Sequence, residues 1–312
     1  MIPASPEPGS HIPVLMHEVV DWLVTDKNGV YVDGTFGRGG HTRALADQLG
    51  SSATLVGIDQ DNSLLLNFDK SGIHQTLLLQ HANFENLEQV LKSNKINSVN
   101  GILFDLGLNS ATLADAARGF SFDRPGPLDM RFDQSQPLTA ALVLNEYDET
   151  ALSKILFEYG EEKAARRMSH AIVQSRTAHP FVSTNDLREI VAQFTPPKFF
   201  VKALSRVFQA VRIEVNHEFA ALRSGLKAAL NTLAIGGRLA VISYHSLEDR
   251  IVKHYFQEES QYPAPPELQP YQATVPGRIK ILTHKPILPS ADEIQRNSRS
   301  RSAKLRIVER MA

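Results

Sequence analysis

The residues best placed to do chemistry stand together near the start of the chain: Asp33-Gly34-Thr35-Phe36-Gly37-Arg38-Gly39-Gly40-His41. An acid opens the run, four glycines fall within seven positions, and an imidazole closes it. Glycine permits positive φ and puts no Cβ in the way of an approaching ligand. A helix starting here would turn its free N–H groups toward that ligand. Two well-known loops do not fit. The pattern G-x-x-x-x-G-K-[ST] matches Gly34 and Gly39 but meets Gly40 where a lysine is required. The pattern G-x-G-x-x-G matches Gly37 and Gly39 but meets Thr42 at its third glycine. Asp33 would repel a pyrophosphate, yet it can accept hydrogen bonds from an ammonium. S-adenosylmethionine carries an ammonium and a sulfonium and no phosphate, so it suits this entrance. A tight β-α turn with no ligand is the bland alternative.

Further acids follow along the chain. Asp59 lies about twenty residues past the loop, the spacing at which a carboxylate meets ribose hydroxyls. A helix cap is its alternative reading, and Asp61 reads as a cap outright. Phe84 follows the third apolar run, where an aromatic ring either stacks on an adenine or packs in the core. Asp105 begins Asp-Leu-Gly after the fourth. His11 and His17 are six positions apart, which suits no metal-binding pair on a helix, and no metal site is expected. Ser246 beside His245 lacks the flanking glycines of a nucleophile elbow, which disfavours a hydrolase. Ser246 and Asp249 read instead as a capping box.

The elements that must carry these residues alternate. Val30–Val32, 53–58, 75–81 and 99–104 are apolar runs of strand length, separated by helical patterns. The leucine-rich run 75–81 reads as a fully buried strand. This is an α/β arrangement with a parallel sheet, and ligands lie at the carboxyl ends of such strands. Residues 118–133, dense in glycine, proline, aromatics and charge, suit an ordered functional loop. From 138 to 208 the period is helical throughout, which implies a helical insert. Its Arg166, Arg167, Arg176, Arg188, Lys198, Lys202, Arg206 and Arg212 are candidates for a phosphate-binding face or for plain solvated surface. Glu214–Leu233 reads as one long helix stopped by Gly236-Gly237, followed by a strand over 238–243. Residues 260–277 read as loop, and 279–284 and 303–308 as closing strands. Arg296, Arg299, Arg301, Lys304 and Arg306 form a clear basic cluster. Residues 1–10 read as disordered.

The chain has 312 residues, enough for one large domain or two ordinary ones. Its formal net charge of −1 does not by itself announce a nucleic-acid partner. It contains no cysteine, which excludes disulfides, thiolate metal sites and cysteine nucleophiles. No apolar run approaches spanning length and no signal peptide opens the chain, so no membrane association and a cytoplasmic location are expected.

Seven stretches together resemble one family. They are Asp33–His41, Asp105–Gly107, Arg118–Phe122, Gly126–Arg131, Phe208–Asn216, His245–Arg250 and Arg301–Arg306. All are similar to the small-subunit ribosomal RNA methyltransferase H family, also called MraW. The resemblance implies a class I, Rossmann-like methyltransferase sheet over residues 11–114 and 207–312. It implies an inserted all-helical substrate-recognition domain over 115–206. The expected activity is S-adenosylmethionine-dependent methylation of a cytosine N4 amine in the decoding region of 16S ribosomal RNA. By the same resemblance the cofactor is held by Asp33, Gly37, Gly39, Gly40, His41, Asp59, Phe84, Asp105 and Thr112. Asp129, Arg131, Arg212 and His245 are the expected substrate contacts, and a homodimer is compatible with it. Two stretches depart from the family pattern. Thr112 stands where the family has glutamine, and Lys202-Ala203-Leu204-Ser205-Arg206 replaces His-Pro-Ala-Thr-Arg.

The chemistry narrows independently. Methylation at pyrimidine C5 ordinarily needs a thiolate to add to the ring, and this chain has none. An exocyclic amine or an oxygen is the better target. Its N–H groups need acceptors, for which Asp105 at the fourth strand end is the leading candidate, ahead of Asp129 and His245. Two rivals stay open: a non-catalytic RNA-binding protein on the same fold, and another nucleotide-cofactor enzyme of Rossmann type.

Overall fold

The computed structural model describes residues 13–108, 112–113, 115–263, 265, 267–268 and 274–312. The N-terminal stretch 1–10, His11 and the residues Asn109–Ala111 just before Thr112 lie outside the described residues. The chain divides into two units. One takes in the described residues up to Gly107 together with Ala221–Ala312, and the other is Leu108–Ala220. The second boundary therefore falls at Ala220 rather than Arg206.

The first unit is built on a seven-stranded sheet. Its strands are β1 (Val30–Asp33), β2 (Thr54–Asp59), β3 (Thr76–His81), β4 (Val99–Asp105) and β5 (Leu233–Ser243), then β8 (Ile279–Ile281) and β9 (Lys304–Arg310). Between β5 and β8 a separate two-stranded ribbon, β6 (Gln261–Pro263) with β7 (Thr274–Pro276), forms within the stretch read as loop. The sheet order is β3-β2-β1-β4-β5-β9-β8. Strands β1 to β5 run parallel, and β9 is antiparallel to both of its neighbours. Apolar runs without alternation form these strands because parallel strands are covered on both faces. Tyr31, Leu55, Leu103, Ala240, Ile242, Leu305 and Ile307 share one core with the helix Met16–Leu23. β3 is the exception: it is an edge strand and only half-buried, so its leucines do not mark a fully covered strand. Strand order reverses between β1 and β4, which opens a crevice at their carboxyl ends.

The second unit is helical: Ala140–Glu146, Glu149–Glu158, Ala165–Arg176, Thr184–Phe194 and Phe200–Val215. Leu144, Leu156, Met168, Ile172, Leu187, Val191, Leu204, Phe208 and Val211 belong to its core. The last helix stops where a continuous one was expected. His217 takes φ 49°, and a second helix, Glu218–Thr232, follows. Asn216 explains the break. Its buried side chain accepts from the Phe132 N–H at 2.7 Å and donates to the Met130 carbonyl at 2.8 Å and to the Arg212 carbonyl at 2.9 Å, so it ties the helix end to a loop. At the far end the strand begins at Leu233, ahead of Gly236-Gly237, which lie within β5.

Candidate active site

The glycine loop leaves the end of β1 and returns as the helix Gly40–Ala46. Gly37 (φ 55°) and Gly39 (φ 72°) take the left-handed conformation that other residues resist. The Phe36 N–H donates to Ile58 at 2.9 Å and the Gly39 N–H to Phe36 at 2.7 Å, which pins the loop against β2. Asp33 is buried and its carboxylate is engaged by the loop itself. Thr42 Oγ1 donates to Oδ2 at 2.8 Å and the Thr35 N–H to Oδ1 at 3.3 Å. Burial raises its pKa, against the opposing pull of His41 and the Thr42 hydrogen bond. The threonine that spoils the dinucleotide pattern is thus the partner of this acid.

Asp59, at the end of β2, accepts from the Gly37 N–H at 2.6 Å and the Asp61 N–H at 2.8 Å. Burial pushes its pKa up to about 6, with the two backbone donors pulling the other way. A carboxylate offers roughly four lone-pair positions, so acceptor capacity remains for ribose hydroxyls. Asp61 caps the short helix Asn62–Leu66, accepting from the Ser63 N–H.

Asp105 ends β4. Its N–H donates to Thr35 Oγ1 at 2.6 Å, and its Oδ1 accepts from the Tyr244 hydroxyl at 2.8 Å. Its Oδ2 lies 3.6 Å from His41 Nε2. His41 is only 6% exposed, and both of its ring nitrogens are buried without a hydrogen-bond partner among the described residues. Buried polar nitrogens ordinarily find partners, so the pair marks a place where a polar ligand group belongs. The amino-acid end of S-adenosylmethionine fits that demand, with its sulfonium carrying the methyl group to be transferred. Asp33 and His41 are the candidate partners for this end, and Asp59 is the candidate for the ribose.

Sequence reasoning gave Tyr244 no part. It lies just beyond β5, and pairing of Asp105 with Ile242 across β4 and β5 brings it to the acid. Its ring occupies space left by Gly107, where a Cβ would stand 2.6 Å from the tyrosine Cε2. Burial first, then Asp105, raises its hydroxyl pKa well above 10, so it remains a donor.

The other expected site residues are placed differently. Phe84 is packed against Phe104 with ring centroids 4.8 Å apart, and the Gly225 backbone closes over its edge, so the packing alternative describes its ring. His245 caps the helix Ser246–Ser260: its Nδ1 accepts from the Glu248 N–H while Glu248 accepts from the His245 N–H. The capping box therefore starts one residue before Ser246, and Asp249 instead binds Arg306 and Lys304. Thr112, Asp129, Arg131 and Arg212 belong to the helical unit. Arg131 pairs with Asp129 at 2.7 Å and donates to the Gln134 and Gln136 carbonyls, so both shape the loop. Arg212 forms a two-bond ion pair with Glu218. Arg176, Arg188 and Arg206, three of the candidates for a phosphate-binding face or solvated surface, likewise bond within the unit.

The sheet order, the glycine loop after β1 and acids at the ends of β1, β2 and β4 define a Rossmann-like, S-adenosylmethionine-dependent methyltransferase. The chain belongs to the MraW methylase family, which matches residues 9–311. Among its relatives, ribosomal RNA small subunit methyltransferase H of Idiomarina loihiensis is 44% identical over 315 residues, covering 100% of this chain and 99% of its own. The protein of that name from Caldicellulosiruptor saccharolyticus is 41% identical over 304 residues, covering 96% of this chain and 99% of its own. Of solved structures, an rRNA methylase from Streptococcus thermophilus aligns over 95% of this chain and 94% of its own, at 11% identity and a TM-score of 0.41.

Proposed function

We propose that this chain methylates the N4 amine of a cytosine in 16S ribosomal RNA, acting in the cytoplasm on the small subunit or its precursor. The observation that carries the reading is likeness along the whole chain to relatives named as small-subunit ribosomal RNA methyltransferases. The site chemistry supports it. A cytosine amine is a weak nucleophile because its lone pair is delocalised into the ring. Asp105 is placed to accept an N–H of that amine, which returns electron density to nitrogen and holds it in line with the departing sulfur. Tyr244 fixes one oxygen of Asp105 and leaves the other facing His41. Asp105 also takes up the proton that the amine loses after transfer. A stacked base hides its amine, so the nucleotide is bound flipped or single-stranded. We assign the helical unit to recognition of the surrounding RNA.

The test is incubation of tritiated S-adenosylmethionine with small subunits from a strain lacking this protein, followed by nucleoside analysis. Label in N4-methylcytidine is the expected result. Cofactor binding with no label in any RNA would instead support a non-catalytic binding protein. Asp105→Asn should abolish most turnover while leaving cofactor affinity within a few-fold; full turnover would remove Asp105 from the mechanism.

A further inference from the structure

We propose that Arg38, Arg296, Arg299 and Arg301 form a phosphate-binding track along the carboxyl edge of the sheet, holding the RNA backbone that flanks the target nucleotide. The inference rests on the reading of RNA as substrate and says where on the sheet unit that RNA lies.

Register places the arginines. β9 runs antiparallel to β5 with Lys304 opposite Ser243, so residues just before β9 lie at the edge where Tyr244 leaves β5. Arg38 sits in the glycine loop at the same edge and is exposed. The segment Pro13–Leu15 ties the two places together. Pro13 packs on Gly40, where a Cβ would stand 2.5 Å from its ring, and the Leu15 N–H donates to Glu293 at 2.8 Å.

Local structure then presents the charges. Residues Ser298–Ser302 form a 3-10 turn capped by the Asn297 side chain. Ser300 is fully buried and its hydroxyl donates to the Asn297 carbonyl at 2.7 Å, while Arg299 and Arg301 on either side are exposed. A turn anchored in this way holds both guanidinium groups outward.

The number of hydrogen-bond and ion-pair partners separates these arginines from their neighbours. Lys304 and Arg306 are bound by Asp249 at 3.3 and 2.7 Å, and Arg43 by the Asp69 and Ser71 carbonyls. Arg38, Arg299 and Arg301 form no ion pair among the described residues, and Arg296 gives one nitrogen to the Asp292 carbonyl. Asp292 is the exposed acid on the same short helix. A guanidinium left free at the mouth of a nucleotide-accepting site matches the bidentate geometry of a phosphate. In a chain of net charge −1, such local placement must supply the attraction that global charge does not.

The experiment measures binding of the full-length enzyme to unmethylated small subunits across a salt series, for wild type, Arg299→Gln/Arg301→Gln and Arg299→Lys/Arg301→Lys. Each lost phosphate contact removes about 0.7 from the slope of log affinity against log salt for single-stranded RNA. The glutamine variant should therefore lose about 1.4 in slope. The lysine variant should keep the slope, and S-adenosylmethionine affinity and melting temperature should be unchanged in both. An unchanged slope in the glutamine variant, with or without a loss of affinity, overturns the track. If wild type methylates normally in that case, the functional reading survives. If wild type neither binds nor methylates the subunit, both fall.

Discussion

At the scale of single residues, the proposed site turns on two acids assigned different tasks. The ordinary aspartate pKa of 3.8 is raised to about 6 at Asp59, chiefly by burial. The folded chain therefore holds a proton there that the unfolded chain has released between those values. The stability tied to that proton is present below 3.8 and is lost as pH rises through about 6, about 3 kcal/mol in all. Ribose hydroxyls need the carboxylate, so cofactor affinity should move the opposite way. Calorimetric titration should find S-adenosylmethionine bound about tenfold more weakly at a pH one unit below the Asp59 value than at neutrality. Asp59→Asn should bind weakly at every pH; equal wild-type affinity at both would remove Asp59 from the ribose. Asp105 depends on Tyr244, and Tyr244→Phe should lower kcat about 10- to 100-fold with the cofactor KM unchanged. A purely structural hydroxyl would instead lower the melting temperature and leave kcat alone. The place of Asp59 at the end of β2 was legible because the apolar run before it is local. Tyr244 was not, because nothing near it in sequence says that β5 pairs beside β4.

At the scale of elements, the glycine in the helix Glu218–Thr232 sets two effects against each other. Replacing a helix-interior glycine with alanine ordinarily gains up to about 1 kcal/mol. At Gly225 the added Cβ would stand 2.4 Å from the Phe84 ring, an overpacking that costs about 1–3 kcal/mol. The clash should win. Urea unfolding should show Gly225→Ala destabilised by about 1–2 kcal/mol, with Phe84→Leu recovering part of the loss in the double variant. Phe84→Leu alone should bind cofactor normally if the ring serves packing; a large loss of affinity would return it to the adenine. The strands and the acids at the ends of β1, β2 and β4 were readable because buried parallel strands appear as apolar runs ended by polar residues. Helix ends were harder where tertiary hydrogen bonds decided them. Asn216 ties the end of its helix to a loop far away in sequence, and His245 takes the cap read at Ser246. Glu248, three residues after His245, was the available signal for that cap.

At the scale of the whole molecule, among the described residues one hydrophobic cluster lies around the sheet and another among the helices 140–215. The chain divides into two units, and multi-domain chains commonly depart from two-state unfolding, so two transitions are expected. The candidate cofactor residues Asp33, His41, Asp59 and Asp105 all lie in the sheet unit. S-adenosylmethionine at a hundred times its dissociation constant should therefore stabilise one transition by about 2.7 kcal/mol and leave the other in place. Asn216→Ala supplies the converse probe. It strips partners from the Phe132 N–H and the Met130 carbonyl, and each buried group left unsatisfied costs about 1–3 kcal/mol. Differential scanning calorimetry of the full chain should thus resolve two transitions, the cofactor raising one and Asn216→Ala lowering the other. A single transition shifted by both would mean that the units fold as one. In that case a substitution in the helical unit that weakens methyl transfer could not be assigned to RNA recognition without first measuring its effect on cofactor binding.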